Sequence, residues 1–291
     1  MSVAIVVNPL SGGATARQGR RRAELASEVL SAAAEEGDVF VTDRRGHGRE
    51  LAAAAVRRGA RLVIAWGGDG TVNEVASALV GTSVALGIVP SGSGNGLARE
   101  LGVDRKPQRA ILDALRATSR TIDAGEIAGH LFFNITGVGF DAHLAACFDR
   151  DATGRRGLST YAKLTLREMW RYPSATYRID GREVRRALLV TVANSGQFGN
   201  GARVAPGARL DDGRLDVVVF EERSRLGAVA TIPSLFLNRF DRARGVSMWQ
   251  TEGTVIECDH PMTFHVDGEP QVGGTRLVVK VHPGALRVAV K

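Results

Sequence analysis

Cysteine is scarce in this chain: 291 residues contain two, Cys147 and Cys258, far apart in the sequence. That excludes a disulfide framework. Without a metal-ligand partner at the right spacing, the two read as reduced thiols with packing roles in a cytosolic protein. Long apolar runs are missing too. None approaches the ~18 residues a membrane span needs, and strand-forming residues follow the first positions directly, without a signal peptide. The expectation is a soluble protein that at most touches a membrane. Nor is there a basic stripe interleaved with aromatics, which argues against a nucleic-acid partner. What is present is a net charge of +7, carried mostly by arginine. Arginine pairs with phosphate oxygens in bidentate fashion, so nucleotides and anionic membrane surfaces are the natural partners. Clusters such as Arg20-Arg21-Arg22 are assigned to solvated helix faces. With 44% hydrophobic and 24% charged residues the chain can bury proper cores, and its length suits two domains.

Leu62 to Val80 organises the first half. Leu62-Val63-Ile64-Ala65-Trp66 reads as a buried strand, Gly67-Gly68-Asp69-Gly70-Thr71 as a turn. A helix follows with Val72, Val75, Ala76, Leu79 and Val80 on one face. A strand feeding a glycine-rich turn that opens a helix presents backbone N–H groups to a phosphate. Glycine matters because a Cβ would hold the ligand oxygens off those amides. Thr71 with Glu74 fits a capping box. The plainer alternative is that both residues only cap and that Asp69 is only a turn residue.

Around this unit the chain alternates. Val3 to Val7 is a strand ending in Asn8-Pro9-Leu10-Ser11-Gly12-Gly13. A helix from Ala16 to Glu36 is stopped by Gly37, and a strand from Val39 to Val41 ends at Thr42. A helix from Arg49 to Arg58 is stopped by Gly59. A strand from Val84 to Val89 runs into Pro90-Ser91-Gly92-Ser93-Gly94-Asn95-Gly96. Such alternation predicts an α/β domain with a parallel sheet. Ligands bind beyond the carboxyl ends of such strands, where Asn8, Thr42, Asp69 and Ser93 all fall. After a helix from Pro107 to Ala117 the pattern changes. Short β-prone runs (Leu131 to Ile135, Ala175 to Ile179, Ala187 to Val192, Leu215 to Phe220, Thr254 to Cys258, Thr263 to Val266) are interrupted by helical stretches. Those stretches lie near Asp141 to Phe148, Ser159 to Tyr172 and Leu226 to Phe240. This predicts a β-rich, sandwich-like second domain. The expected division is 1–122 and 123–276.

Three further motifs carry chemistry. Ser91 to Gly96 is a second glycine loop, and no Lys-Ser/Thr follows it, so it is not a Walker A loop. Asp211-Asp212-Gly213 reads either as a hairpin turn or as a Mg²⁺ site in which a carboxylate and nearby carbonyls hold a hard cation. His265-Val266-Asp267-Gly268-Glu269 reads either as an Asp-Gly turn or as a pair of carboxylates supplying a general base. His265 is given no role of its own.

In order, these motifs resemble those of the diacylglycerol kinase catalytic-domain family, which includes sphingosine and ceramide kinases and bacterial lipid kinases. The resemblance covers nearly the whole chain. It rests on Asn8 to Gly13, Gly67 to Val75 (GGDGTVNEV), Ser91 to Arg99 (SGSGNGLAR), Asn134 to Ala142 (NITGVGFDA), Asn194 to Pro206 (NSGQFGNGARVAP), Leu210 to Val217 (LDDGRLDV) and Asp267-Gly268-Glu269. It implies an N-terminal α/β domain like that of diacylglycerol and NAD kinases, a β-rich lipid-binding domain, and ATP in the cleft between them. By resemblance, Asn8, Thr42, Gly67, Gly68, Asp69, Gly70, Thr71, Glu74 and Ser93 contact the nucleotide. Asp267 and Glu269 supply the base, and Asp212 holds Mg²⁺ with the carbonyls of Arg209 and Arg214. The last strands, about 277–291, return to the first domain. One departure concerns the acceptor: bacterial lipid kinases usually carry Asn-Asp in the second loop, whereas here Gly96 follows Asn95. Sphingosine-kinase-like members have a small residue there.

The activity these features imply is transfer of the ATP γ-phosphoryl group to a lipid hydroxyl. The favoured acceptor resembles diacylglycerol, with a sphingoid base or ceramide as alternatives. The protein would be cytoplasmic, peripheral to an anionic membrane, and free to form a homodimer. Leu226 to Phe240 is a candidate for part of an acyl groove, or an ordinary amphipathic core helix. Two other readings are a soluble-acceptor kinase of the NAD kinase or sugar kinase type and a non-catalytic nucleotide- or lipid-sensing module. The Leu-Asp-Asp-Gly and Asp-Gly-Glu motifs speak against the first. Intact Asp69, Asp267 and Glu269 speak against the second.

Overall fold

Every residue of β1 (Val3–Val7) is buried, which an apolar β-branched strand achieves only with neighbours on both sides. In the computed structural model, which describes residues 2–150, 158–199 and 201–291, those neighbours are β2 (Gly37–Val41) and β3 (Leu62–Gly67), both parallel to it. Beyond β3 lies β4 (Ala85–Pro90), again parallel. Helices α1 (Ala16–Ala32), α2 (His47–Arg57), α3 (Asp69–Leu79), α4 (Gly96–Glu100) and α5 (Pro107–Arg116) alternate with the strands. Ile5, Ile64 and Trp66 pack with Leu30, Ile111 and Ala114 of the covering helices.

The local stops differ in detail from the expected ones. Helix α1 ends four residues early, at Ala32, and the chain reverses through Ala34 in the left-handed region (φ 54). Gly37 is then the first residue of β2 rather than a stop. A Cβ there would sit 2.5 Å from the Val3 carbonyl oxygen, so strand pairing demands the glycine. A capping box does occur, but at Thr15 and Gln18 ahead of α1.

The chain divides into two compact units. One runs to Ile122 and takes back Gly284–Lys291; the other is Asp123–Pro283. In the second are β5 (Arg120–Ile127, which starts just before it), β6 (His130–Phe132), β7 (Ile135–Gly139), α6 (Phe140–Arg150), α7 (Leu158–Arg171), β8 (Ala175–Ile179) and β9 (Arg182–Ala193). There follow β10 (Gln197–Gly199), β11 (Ala202–Arg203), β12 (Leu215–Glu221), α8 (Arg225–Phe236), β13 (Val246–Thr251), β14 (Gly253–Glu257), β15 (Thr263–Val266), β16 (Glu269–Val272) and β17 (Arg276–Val288). Strands β16, β15, β7, β9, β12 and β13 pair antiparallel in that order. Alternation along β12 shows why both faces are covered: Leu215, Val217 and Val219 enter one cluster. Val218 and Phe220 enter another, beneath α6, α7 and α8.

Strand β17 is one long strand where short final strands were expected. Its first part pairs with β14 in the second unit, and only the residues from Gly284 belong to the first, where Arg287 and Val288 lie beside β4. The return therefore begins later than residue 277. The expected strand from Leu131 to Ile135 is also broken, between β6 and β7. The amides of Phe133, Asn134 and Ile135 turn to the carboxylate of Asp267 instead.

Candidate active site

In the first unit the residues beyond the strand ends are tied to one another. Asn8, after β1, donates through Nδ2 to Thr71 Oγ1 at 2.9 Å and accepts from the Leu10 amide at 3.0 Å. Ser11 and Ser91 share a hydrogen bond of 2.7 Å between hydroxyls, joining the loops after β1 and β4. The loops after β3 and β4 meet at glycine: a Cβ on Gly92 would lie 2.7 Å from Gly68 Cα, and one on Gly12 would lie 2.1 Å from the Ser91 carbonyl oxygen. Gly92→Ala is expected to force these loops apart. Overpacking of this kind costs about 1–3 kcal/mol, and the measurement is ATP affinity by calorimetry, expected to weaken roughly tenfold. Unchanged affinity would mean the loops do not frame the nucleotide.

Asp69 is the hinge of this arrangement. Its Oδ2 accepts from the Asn95 amide at 2.8 Å and its Oδ1 from the Gly96 amide at 2.7 Å. The carboxylate thus sits where an anion at the start of α4 would sit, so it positions the second glycine loop. The N-cap of α3 is Gly68, which offers no side chain to the first amides of that helix. Asn95, with φ 52, uses its side-chain amide to accept from Gly92 N at 2.8 Å and to donate to Gly92 O at 2.7 Å, shaping the loop from within.

The Thr71–Glu74 capping box does not form, because α3 starts at Asp69 and Thr71 lies inside its first turn. Glu74 reaches across instead: Oε1 accepts from Gly46 N at 2.7 Å and Oε2 from Gly48 N at 3.0 Å. It therefore anchors the start of α2, and both its oxygens already hold protein amides. Thr42 is buried beyond β2 with its amide bonded to Val7 O at 2.9 Å; Ser93 is exposed at the loop tip. Arg22 was missed. Arg20 and Arg21 are solvated as expected, but the Arg22 guanidinium turns inward and donates to Asn8 O (3.1 Å), Ser11 Oγ (2.7 Å) and Ser11 O (3.1 Å). Burial lowers its pKa, yet a guanidinium stays charged. It thus places a positive charge under the loop after β1. Nothing in its spacing distinguishes it from its neighbours.

In the second unit the expected Asp-Gly turn forms, and it carries the Asp267 carboxylate. Asp267 (φ 49) and Gly268 (φ 90) form the two-residue turn between β15 and β16, the left-handed pair such hairpins require. The Asp267 carboxylate folds inward: Oδ1 accepts from Asn134 N at 2.8 Å and Ile135 N at 3.1 Å, and Oδ2 from Phe133 N at 3.0 Å. Three successive amides make an anion-holding concavity. Asn194 Nδ2 supports it by donating to Phe133 O at 3.0 Å and Asp123 O at 2.9 Å. Asn134 Nδ2 donates to Gln197 O at 2.8 Å, and its Oδ1 accepts from Ser195 Oγ. This gives the Asn134 and Asn194 motifs a structural meaning, although Asn200 lies outside the described residues. Because Asp267 is a turn residue, strand alternation with Glu269 does not govern its direction. His265 supports the turn: its Nδ1 accepts from Gly268 N at 3.3 Å, and Nε2 faces buried Asp141 Oδ2 at 3.5 Å.

The Asp211-Asp212-Gly213 turn is not a hairpin, since β12 pairs with β9 and β13. Buried Asp123 shapes it, with Oδ2 accepting from Gly213 N at 2.7 Å and its own amide donating to Leu210 O at 2.6 Å. Asp212 Oδ1 accepts from Arg214 N at 3.0 Å and Oδ2 from Gln250 Nε2 at 3.3 Å. Arg209 pairs with Asp211 instead, at 3.5 Å. Burial raises the pKa of neighbouring Asp216; a hydrogen bond from Gln250 opposes this, and the Asp212 charge adds to it. Asp212 of the turn and Asp216 of β12 thus share Gln250, and carboxylate oxygens of this kind are the ligand type Mg²⁺ takes. Millimolar Mg²⁺ is expected to raise the melting temperature of the wild type by mass action and to leave Asp212→Asn unmoved. Equal shifts in both would place the ion elsewhere.

Both cysteines pack against cores as expected, but Cys147 also has potential ligand neighbours that its sequence spacing did not suggest. His143 stands one turn before Cys147 on α6, and with Glu168 of α7 their ligand atoms lie within 4.8 Å of one another. They form a hydrogen-bonded set: His143 Nε2 is 2.9 Å from Glu168 Oε2 and 3.5 Å from Cys147 Sγ, while Arg167 takes Glu168 Oε1 at 2.9 Å. Both cysteines are free thiols.

The two units each resemble known proteins. Residues 2–127 match the diacylglycerol kinase catalytic domain, and residues 134–290 match the YegS C-terminal NAD kinase β sandwich-like domain. A probable lipid kinase YegS-like protein of Chromohalobacter salexigens is 31% identical over 80% of this chain and 77% of its own. One from Pseudomonas aeruginosa PAO1 is 32% identical over 86% and 83%. The crystal structure of a diacylglycerol kinase from Bacillus anthracis strain Sterne superposes with a TM-score of 0.74 at 19% identity, covering 100% of this chain and 97% of that one. The chain belongs to the diacylglycerol kinase catalytic-domain family, in its YegS-like branch, and is a kinase.

Proposed function

We propose that this kinase transfers the γ-phosphoryl group of ATP to a hydroxyl of a lipid, with a diacylglycerol-like acceptor favoured over a sphingoid base or ceramide. The observation that carries the reading is Asp267. Its carboxylate is fixed in one direction by the amides of Phe133, Asn134 and Ile135 and stays ionised, and a base that must meet a hydroxyl needs a fixed direction. In this reading the loops beyond β1, β3 and β4 hold the ATP phosphates, with the start of α3 and Arg22 supplying positive potential. Asp69 and Asn95 keep the loop beyond β4 in register, and Glu74 holds the start of α2. Asp267 or Glu269 accepts the hydroxyl proton. A Mg²⁺ held at Asp212 would neutralise phosphate charge as transfer proceeds. Among the described residues no helix is long and apolar enough to cross a membrane, so the acceptor would be met from the membrane surface.

The test is transfer of label from ATP, with Mg²⁺, to detergent-dispersed diacylglycerol, monoacylglycerol, ceramide and sphingosine, with NAD as the soluble control. Product with one lipid class names the acceptor. Label on NAD alone would move the activity to a soluble acceptor. ATP binding with no product would remove the lipid reading.

A further inference from the structure

Helix α8 carries one charged residue, Arg225, at its start, and is otherwise apolar or small apart from Thr231 and Ser234. Those two hydroxyls donate within the helix, to Ala228 O and Thr231 O, both at 2.6 Å, so neither needs water. One side of the helix is accounted for: Ala228 is buried, and Val229, Ile232 and Leu235 pack against the cluster that holds Phe220 and Phe240. A helix apolar on every side belongs in a core or against lipid, yet the opposite side of this one is open. Leu226 is 74% exposed, Phe236 51% and Leu237 65%; Ala230 and Pro233 are exposed as well. Positions 226, 230, 233 and 237 follow helical spacing and form one stripe.

The patch does not stop at the helix. Arg225 donates to the Met169 carbonyl of α7 at 3.0 Å, and next to Met169 is Trp170, 56% exposed, with Leu166 a turn earlier at 49%. Exposed arginines border both helices: Arg171 on α7, Arg223 ahead of α8, and Arg239 and Arg244 behind it; Arg167 is paired with Glu168 at 2.9 Å and Arg242 with Asp241 at 3.9 Å.

We propose that α8 and the end of α7 seat the protein on an anionic bilayer. The stripe and Trp170 enter the boundary between headgroups and acyl chains, and the bordering arginines take headgroup phosphates. Tryptophan is the side chain suited to that depth. Charge selects lipid over a second copy of the chain, because two such faces would bring like arginine sets together. The inference rests on the reading of a lipid acceptor and adds where the enzyme meets the membrane that holds it.

The experiment is sedimentation of the full chain with phosphatidylcholine vesicles, with and without phosphatidylglycerol, in the absence of ATP and acceptor. Wild type is expected to bind the anionic vesicles, with a blue shift in emission that Trp170→Phe abolishes. Phe236→Glu with Leu237→Glu should weaken binding at least about tenfold. Arg239→Glu with Arg244→Glu should weaken it roughly tenfold on anionic vesicles only, and the wild-type affinity should fall with salt. All variants should melt as wild type, and Trp170→Phe should phosphorylate a short-chain, monomeric diacylglycerol at the wild-type rate. Variants that sediment like wild type overturn the proposal. So does a wild-type dimer that the apolar variant dissolves without any change in vesicle binding. Vesicle binding that is lost in the variants while no lipid is ever phosphorylated would sink the lipid-acceptor reading and leave the docking surface standing.

Discussion

Asp267→Asn is expected to lower phosphoryl transfer about 10²–10⁴-fold, the range a positioned general base supplies, with ATP affinity unchanged. The substitution is informative because the fold should tolerate it. An amide oxygen can still accept from Asn134 N and Ile135 N, at 2.8 and 3.1 Å from Oδ1 in the wild type. Only Nδ2, facing the Phe133 amide across the 3.0 Å contact, is mismatched. Asp267→Ala is a different case. It strips the acceptor from three amides, and an unsatisfied buried donor costs about 1–3 kcal/mol, so it should lower the melting temperature as well as the rate. Steady-state kinetics and thermal melts on both variants separate chemistry from support. If Asp267→Asn turns over at the wild-type rate, the proton leaves by another group, and Glu269→Gln becomes the variant that must fail.

Asp69→Ala should have the second large effect, and on ATP affinity before rate. Hydrogen bonds to a charged group contribute about 1.5–3 kcal/mol each, and Asp69 holds the amides of Asn95 and Gly96. Without them the Asn95–Gly96 end of the second glycine loop loses its tie to the first, and the Ser91 amide on Gly67 O at 2.8 Å remains. A loss of more than about tenfold in ATP affinity and a lower melting temperature are expected. Asp69→Asn, which keeps one acceptor, should fall between. A variant that melts early but binds ATP like wild type would restrict Asp69 to stability and exclude the second loop from the nucleotide site.

These effects trace back to what could and could not be read before the fold was known. The alternation of strands and helices, the ends of β1, β3 and β4, and the Asp-Gly turn between β15 and β16 were all legible. Each depends on hydrophobic period, or on the backbone freedom of glycine, within a few residues. The partners were not legible. Thr71 and Glu74 have the spacing of a capping box, yet they bond to Asn8, Gly46 and Gly48. Arg22 is indistinguishable in sequence from Arg20 and Arg21. Asp267 interrupts a strand 132–134 residues away by taking its amides.

By itself, then, the sequence determined the layers, the positions of the glycine loops and the family, because periodicity and local turn chemistry are written along the chain. Only the tertiary structure decided which amides each carboxylate holds and which side of α8 faces water. Those depend on segments far apart in sequence approaching within 3 Å or failing to cover one another, and no local pattern encodes that distance.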